Sequence, residues 1–158
     1  MTGRGPILAG MVAGGAWAVC VVAAGRLIGP VPLPAALAIG LLPGGLVLMA
    51  LIARLAARRF LDDALVAGGP FRAGPDVTTA RVLANSVEQL VLAAATWPFV
   101  GWALGGGHVV ALGLAFGVTR ALFWLGYAAS PPLRAFGFAG GFYPTILAVA
   151  AALVAVAT

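Results

Sequence analysis

The chain has 158 residues, of which 63% are apolar and only 8% are charged. A soluble domain carries roughly 45–50% apolar and about 25% charged residues, and a small fold leaves much of its surface exposed. The composition therefore predicts an integral membrane protein. It excludes a soluble enzyme, a disordered chain and a disulfide-stapled secreted domain, since the one cysteine, Cys20, has no partner within the chain.

The charge is basic, with nine arginines against four acidic residues and a net charge of +5. A basic balance often indicates a nucleic-acid partner, but here the arginines are scattered between apolar runs and form no basic patch. We therefore expect no nucleic-acid binding. We also expect no metal site, because His108 is the only histidine and has no second ligand nearby.

Apolar runs predict five transmembrane helices, since about 20 apolar residues cross a bilayer core. The predicted spans are 5–25, 35–53, 77–104, 109–129 and 138–156. The polar segment 54–79 is predicted to be a loop, residues 105–108 a glycine turn, and Ser130-Pro131-Pro132 a helix break. The fold class is thus an all-α transmembrane helical bundle.

The distribution of arginines predicts the orientation of the bundle. Five spans place Arg4, Arg134 and the arginines of the long loop on one side, and Arg26 and His108 on the other. The loop arginines are Arg54, Arg58, Arg59 and Arg72. The positive-inside rule assigns the arginine-rich side to the cytoplasm, with the N-terminus inside and the C-terminus outside. The alternative for the first span is a cleaved signal peptide that has Arg4 as its basic region.

Glycines four residues apart occur in three of the predicted spans. Such spacing allows two helix backbones to approach closely, although a chain with 23 glycines contains several such pairs by chance. The pairs are Gly10/Gly14, Gly40/Gly44 and Gly113/Gly117.

Polar side chains inside the spans are the candidates for function, because ionisable groups at membrane depth are costly. Arg81, Asn85 and Glu88 are four and three residues apart and share one helix face. Arg120 and Tyr127 share a face of the next span. At 1.5 Å per residue, Glu88 and Arg120 both lie about 15 Å from the cytoplasmic side. We therefore expect them to pair.

Two interpretations of these residues remain open. The first is a structural ion pair that holds two helices in register. The second is a polar cavity that opens to the cytoplasm and binds a carboxylate or phosphate, which a guanidinium matches in geometry. The predicted lining of this cavity is Arg58 or Arg59, Arg81, Asn85, Glu88, Arg120, Tyr127 and Arg134.

The motifs formed by these residues resemble a known family. Residues 81–88 place Arg81, Asn85 and Glu88 as in the R-x-x-x-N-x-x-E signature of the MAPEG family, the membrane-associated proteins in eicosanoid and glutathione metabolism. Residues 120–127, with Arg134 seven positions later, are similar to the second signature of the family. The paired arginines 58–59 that end the preceding span also fit.

The resemblance covers 33–158 and divides the chain into a MAPEG-like four-helix domain and an extra N-terminal transmembrane helix, 1–32. It implies a divergent bacterial-type member in the inner membrane. It also implies a homotrimer that binds glutathione between protomers near the cytoplasmic face. The residues that would hold glutathione are Arg81, Asn85, Glu88, Arg120 and Tyr127, assisted by Arg58 or Arg59.

Arg134 matches the arginine that activates the glutathione thiol in the family's synthases. The resemblance thus implies a glutathione transferase or peroxidase that acts on lipophilic electrophiles or hydroperoxides. Several side chains depart from the family pattern: Gln89 and Phe123 stand where tyrosines are common, Val91 where a proline is common, and Ala135 where one synthase has serine. The alternatives are a non-catalytic lipid-binding or scaffold protein on the same fold, and a small transporter.

Overall fold

The computed structural model describes residues 3–71 and 74–158, so the predicted loop residue Arg72 lies outside the described residues. The described chain is helical throughout, with short connections. The helices are α1 (Arg4–Gly25), α2 (Leu33–Phe60), α3 (Asp63–Val66), α4 (Pro75–Leu104), α5 (Gly106–Ala129) and α6 (Pro131–Ala157). All except the single turn α3 are long and apolar enough to cross a membrane. This confirms the predicted all-helical membrane fold.

Three helix boundaries differ from those that apolar runs predicted. α2 continues past its apolar run to Phe60, because arginines are compatible with a helix and favourable in its last turn. α6 begins at Pro131 rather than at 138, since proline is well suited to the first position of a helix. Only Gly105 separates α4 from α5, with a φ of 95° that glycine adopts without strain.

α5 is the central helix of the bundle and packs against α1, α2, α4 and α6. The core that surrounds it contains Trp97, which is fully buried. The Trp97 Nε1 donates a hydrogen bond to the Thr145 hydroxyl at 3.2 Å. Its ring meets Phe116 edge to face, with 6.2 Å between the centroids. One tryptophan thus links α4, α5 and α6.

The first helix packs along α6 and the neighbouring part of α5, and touches neither α2 nor α4 within the described residues. Glycines make this contact close. A Cβ placed on Gly14 would lie 2.5 Å from the Cβ of Ala139, and one on Gly25 would lie 2.7 Å from the Cα of His108. α1 therefore covers one side of the bundle and leaves the surfaces of α2 and α4 free.

The other two glycine pairs also lie at helix contacts. A Cβ on Gly40 would be 2.7 Å from the Val109 carbonyl oxygen, and one on Gly117 would be 2.6 Å from Pro43. Gly113 packs directly on the backbone of Gly40. Small residues thus bring α2 and α5 into backbone contact, as expected for helices that pack in a membrane.

We predict that Gly14→Leu separates α1 from α6 and lowers the melting temperature of the protein in detergent. Forcing a large side chain into such a contact typically costs about 1–3 kcal/mol. Gly15→Leu is the matched control, because nothing lies within 4 Å of a Cβ at that position. Equal melting temperatures for the two variants would contradict the packing of α1.

Candidate functional site

A cavity of about 790 Å³ opens where α2, α4 and α5 meet at one end of the bundle. We refer to this end, which carries Arg54, Arg58, Asp76 and Arg134, as the charged end. The wall of the cavity combines cationic, hydroxyl and apolar side chains. Its lining is Arg54, Gly74, Pro75, Val77, Thr78, Thr79, Arg81, Trp124, Leu125, Tyr127 and Ala128. Such a wall suits a ligand that has both an anionic and an apolar part.

Two arginines bring positive charge to this cavity. Arg81 was expected there from its motif. Arg54 was assigned only to the loop by the sequence analysis, but it lies on α2 with its guanidinium over the Trp124 ring, 5.9 Å from the centroid. No sequence motif marked Arg54, and its place one helical turn before Arg58 does not identify it, since Arg58 lines a separate hollow.

Tyr127 connects the cavity to α6. Its ring packs edge to face on Phe123, with 5.4 Å between the centroids. The Arg134 guanidinium lies over the same ring, 5.0 Å from the Tyr127 centroid. The start of α6 can approach α5 this closely because Gly126 has no side chain: a Cβ there would lie 2.6 Å from the Cα of Arg134. The structure therefore brings Arg81, Tyr127 and Arg134 to the same end of the bundle.

Arg120 lies inside the bundle and is fully buried. Its Nη1 donates to the Asn85 Oδ1 at 2.9 Å, and its Nη2 donates to the carbonyl oxygens of Gly137 and Phe138. The guanidinium also packs on the Phe123 ring, 4.8 Å from its centroid. Phe123 thus supports the buried arginine.

The predicted pairing of Glu88 with Arg120 is wrong. Within the described residues the partners of Arg120 are Asn85 and two backbone carbonyls, and neither salt bridge found there involves Glu88. Glu88 is exposed on the outer surface of α4. Similar depth along two helices does not by itself make a pair: Glu88 is exposed on α4, whereas Arg120 is buried inside the bundle.

Arg58 and Arg59 point to other partners. The Arg58 Nε donates to the Asp76 Oδ2 at 2.9 Å, and both line a separate hollow of about 380 Å³ between α2 and the segment after α3. The Arg59 guanidinium lies 4.8 Å from the centroid of Phe71. Neither arginine lines the larger cavity, so the structure of one protomer does not bring them to Arg81 and Tyr127.

The outer surface of α4 carries a continuous row of exposed residues, which we call the open face: Arg81, Ala84, Glu88, Val91 and Ala95. Asn85 lies beside this row and is half-buried. The half of the row near the charged end is polar and the other half is small and apolar. Charged side chains on the outside of a membrane helix are costly unless another protein surface covers them.

A comparison with protein families finds that the model of the MAPEG family matches residues 31–154, which is more than half of the chain. The match includes α2, α4, α5 and α6 and leaves α1 outside. No curated protein and no solved structure matches the chain.

We predict that Asp76→Asn loosens the charged end. The Asp76 carboxylate lies 2.9 Å from the Arg58 Nε and 3.9 Å from the Arg54 Nη2, and so joins the end of α2 to the start of α4. The melting temperature should fall by a few degrees at low salt and by less at high salt, because both arginine side chains are about half exposed and their charges are screened. The exposed Asp63, changed to Asn, is the control. A fall in melting temperature no larger than that of Asp63→Asn would contradict the inferred link between α2 and α4.

Proposed function

Because the chain belongs to the MAPEG family, a family of membrane glutathione-dependent transferases and peroxidases, we propose that it binds glutathione at the charged end. There it uses the thiol against lipophilic electrophiles or lipid hydroperoxides. The observation that best supports this is that Arg81 and Tyr127 line a cavity with mixed walls, with Arg134 packed on the Tyr127 ring. The cations suit an anionic peptide, and the apolar wall suits a lipophilic partner.

The proposed ligand contacts combine the family pattern with the positions of the side chains. Arg81 and Tyr127 line the cavity directly, and Arg54 adds a second cation to it. Asn85 and Glu88 lie along α4 beside Arg81, and Arg120 acts through Asn85. Arg58 or Arg59 can assist only from a neighbouring copy, since in its own protomer neither lines this cavity.

The proposed site is completed by further copies of the chain in a homotrimer. The open face of α4 leaves Arg81 and Glu88 exposed on a helix long and apolar enough to cross a membrane. A second protomer that packs on this face would shield these charges from lipid and close the site. α1 does not obstruct such packing, because it lies on α5 and α6.

Arg134 is proposed as the group that stabilises the glutathione thiolate. A free thiol has a pKa near 8.5, and an adjacent guanidinium lowers it by favouring the charged form. Arg134 is half-buried, in the first turn of α6, and held over the Tyr127 ring. It is not among the residues that line the cavity, but it is positioned by packing on Tyr127, which does line it.

The thiolate then reacts in one of two ways. With an electrophile, its sulfur forms a bond to carbon and the leaving group departs with the bonding pair. With a hydroperoxide, the thiolate attacks the terminal oxygen and the O–O bond breaks. The alkoxide leaves with the bonding pair and takes up the proton that the thiol released, which gives an alcohol. The resulting sulfenic acid condenses with a second glutathione to give the disulfide and water. The co-substrate in both cases is glutathione.

We also propose that the charged end faces the cytoplasm. It holds most of the arginines of the chain, and the opposite end holds Arg26. The positive-inside rule favours this orientation. Glutathione and other intracellular thiols would then reach the cavity from the cytoplasm, while the lipophilic substrate enters from the bilayer.

A second candidate, a non-catalytic lipid-binding protein, is favoured by a different observation. An almost wholly apolar groove of about 270 Å³ runs between α1 and α5. It is lined by Trp17, Val21, Ala24, Ile28, Ala111, Leu114, Ala115 and Val118. No comparable observation favours a transporter, since Glu88 and Arg120, which would have formed its ion path, are apart.

One experiment separates these functions. The purified protein in mild detergent is supplied with glutathione and a generic electrophile such as a chlorodinitrobenzene. Glutathione-dependent conjugation supports the enzyme. Saturable glutathione binding without turnover of electrophile or hydroperoxide supports the lipid-binding candidate. Failure of both, together with solute uptake in liposomes, would overturn the proposed function in favour of a transporter.

We predict a trimer by native mass measurement in mild detergent. Glu88→Leu should leave this assembly intact or strengthen it, because it removes a charge from the open face, while Ala84→Arg should weaken it by adding a bulky charge there. Monomers alone for the parent protein, under conditions where it remains folded, would contradict the proposed assembly.

We predict that Arg134→Ala lowers the turnover rate by about tenfold or more at neutral pH, the effect of raising the thiol pKa by one unit. Glutathione affinity and the melting temperature should change much less. The measurement is the thiolate absorbance of bound glutathione against pH, together with turnover. Arg26→Ala, which removes an exposed arginine at the opposite end, is the control. If the pH dependence of the thiolate absorbance is unchanged in Arg134→Ala, then Arg134 does not stabilise the thiolate.

A further inference from the structure

The side-chain amide of Asn85 is held in one orientation by the buried Arg120. A guanidinium has donors and no acceptor, so the Asn85 atom that meets the Arg120 Nη1 at 2.9 Å must be its oxygen. Gln89 adds a weaker contact to the same oxygen, its Nε2 lying 3.4 Å away. Both contacts come from the inner side of α4. The amide oxygen is therefore committed to the interior of the bundle.

The opposite end of the Asn85 amide is available to a ligand. Among the described residues its Nδ2 takes part in no hydrogen bond, and it does not belong to the buried polar atoms that lack a partner. The Asn85 Nδ2 therefore retains surface that a ligand can reach, and Asn85 lies half-buried beside the open face, between the exposed Arg81 and Glu88.

Arg120 is itself held firmly. Its Nη2 donates to the carbonyl oxygens of Gly137 and Phe138, and its guanidinium packs on the rings of Phe116 and Phe123. The space it occupies depends on Gly141, where an added Cβ would lie 2.7 Å from the Arg120 Nη2 and 3.0 Å from the Gln89 Oε1. A change at Gly141 must therefore move the arginine or the glutamine.

We infer that Arg120 is a positioning residue that, with Gln89, orients the Asn85 amide so that the amide presents only N–H donors to the site. The site therefore selects a ligand carbonyl or carboxylate at this position. Arg81, one turn away, is also a pure donor. The two residues form a pair of donors that suits adjacent acceptor groups of a peptide ligand. This inference rests on the proposed function for the identity of that ligand, but the orientation of the amide is independent of it.

The first test compares Asn85→Asp with Asn85→Leu. Aspartate has nearly the same shape and still offers Arg120 an oxygen, now charged, but it presents no donor to the site. Leucine leaves the Arg120 Nη1 without its partner. We expect the melting temperature in detergent to be retained or raised in Asn85→Asp and lowered in Asn85→Leu. Glutathione affinity should fall by roughly tenfold or more in both, as for loss of hydrogen bonds to a charged group.

The second test moves Arg120 without touching the open face. Gly141→Ala should raise the KM for glutathione severalfold and leave kcat nearly unchanged, because it disturbs the donor pair and not the thiolate. Gly15→Ala is the matched control, since nothing lies within 4 Å of a Cβ there. If Gly141→Ala fails to fold, the pair of Asn85 variants decides the question.

The outcomes distinguish this inference from the proposed function. Absence of glutathione binding by the parent protein overturns the proposed function, and the order of melting temperatures then decides the amide orientation alone. An Asn85→Asp variant as unstable as Asn85→Leu overturns the inference. So does an Asn85→Asp variant that binds glutathione as tightly as the parent. An Asn85→Asp variant that keeps the melting temperature of the parent but binds glutathione more weakly supports the inference.

Discussion

A permanent cation buried within a membrane bundle constrains much of this structure. Arg120 cannot lose its charge under ordinary conditions, and at this depth no bulk water solvates it. Its charge must therefore be met by oxygen atoms of neighbouring helices. The bundle supplies the Asn85 side chain from α4 and the carbonyls of Gly137 and Phe138 from α6. α4 and α6 are thereby held in register with α5.

The same constraint explains where small residues are needed. Main-chain carbonyls of α6 can reach Arg120 only if that helix approaches α5 closely, and Gly137 packs directly on the backbone of Phe123. Gly141 leaves room for the guanidinium itself. Glycine thus serves here both to bring helices together and to make space for a large polar side chain between them.

The interior of the bundle therefore orients side chains, whereas the open face is available for contact with another molecule. Both Nη atoms of the buried Arg120 find hydrogen-bond partners within one protomer, whereas Arg81 and Glu88 lie exposed on the open face. The additional helix α1 covers α5 and α6 and leaves this face free. A binding site at the charged end can thus be shared between copies, while the frame that orients its side chains belongs to each copy.

Some features of the candidate site followed from local spacing and others did not. The shared face of Arg81, Asn85 and Glu88 is a consequence of helical periodicity, and the proximity of Tyr127 and Arg134 follows from the short break at Ser130. The partner of Arg120 could not be obtained this way. Depth along two helices limits which groups are level, but the rotation of each helix about its axis decides which of them meet. The Asn85 oxygen meets Arg120 inside the bundle and Glu88 stays exposed, because α4 packs against α2, α5 and α6 with its buried residues.

The sequence by itself determined the membrane class, the helical fold, the five spans and the family motifs, because hydrophobic length and helical spacing are local properties. The tertiary structure decided the separation of Glu88 from Arg120, the hydrogen bond between Arg58 and Asp76, and the presence of Arg54 at the cavity. Each of these depends on contacts between residues far apart in the chain. Such contacts are set by the packing of whole helices, which no short segment of the sequence encodes.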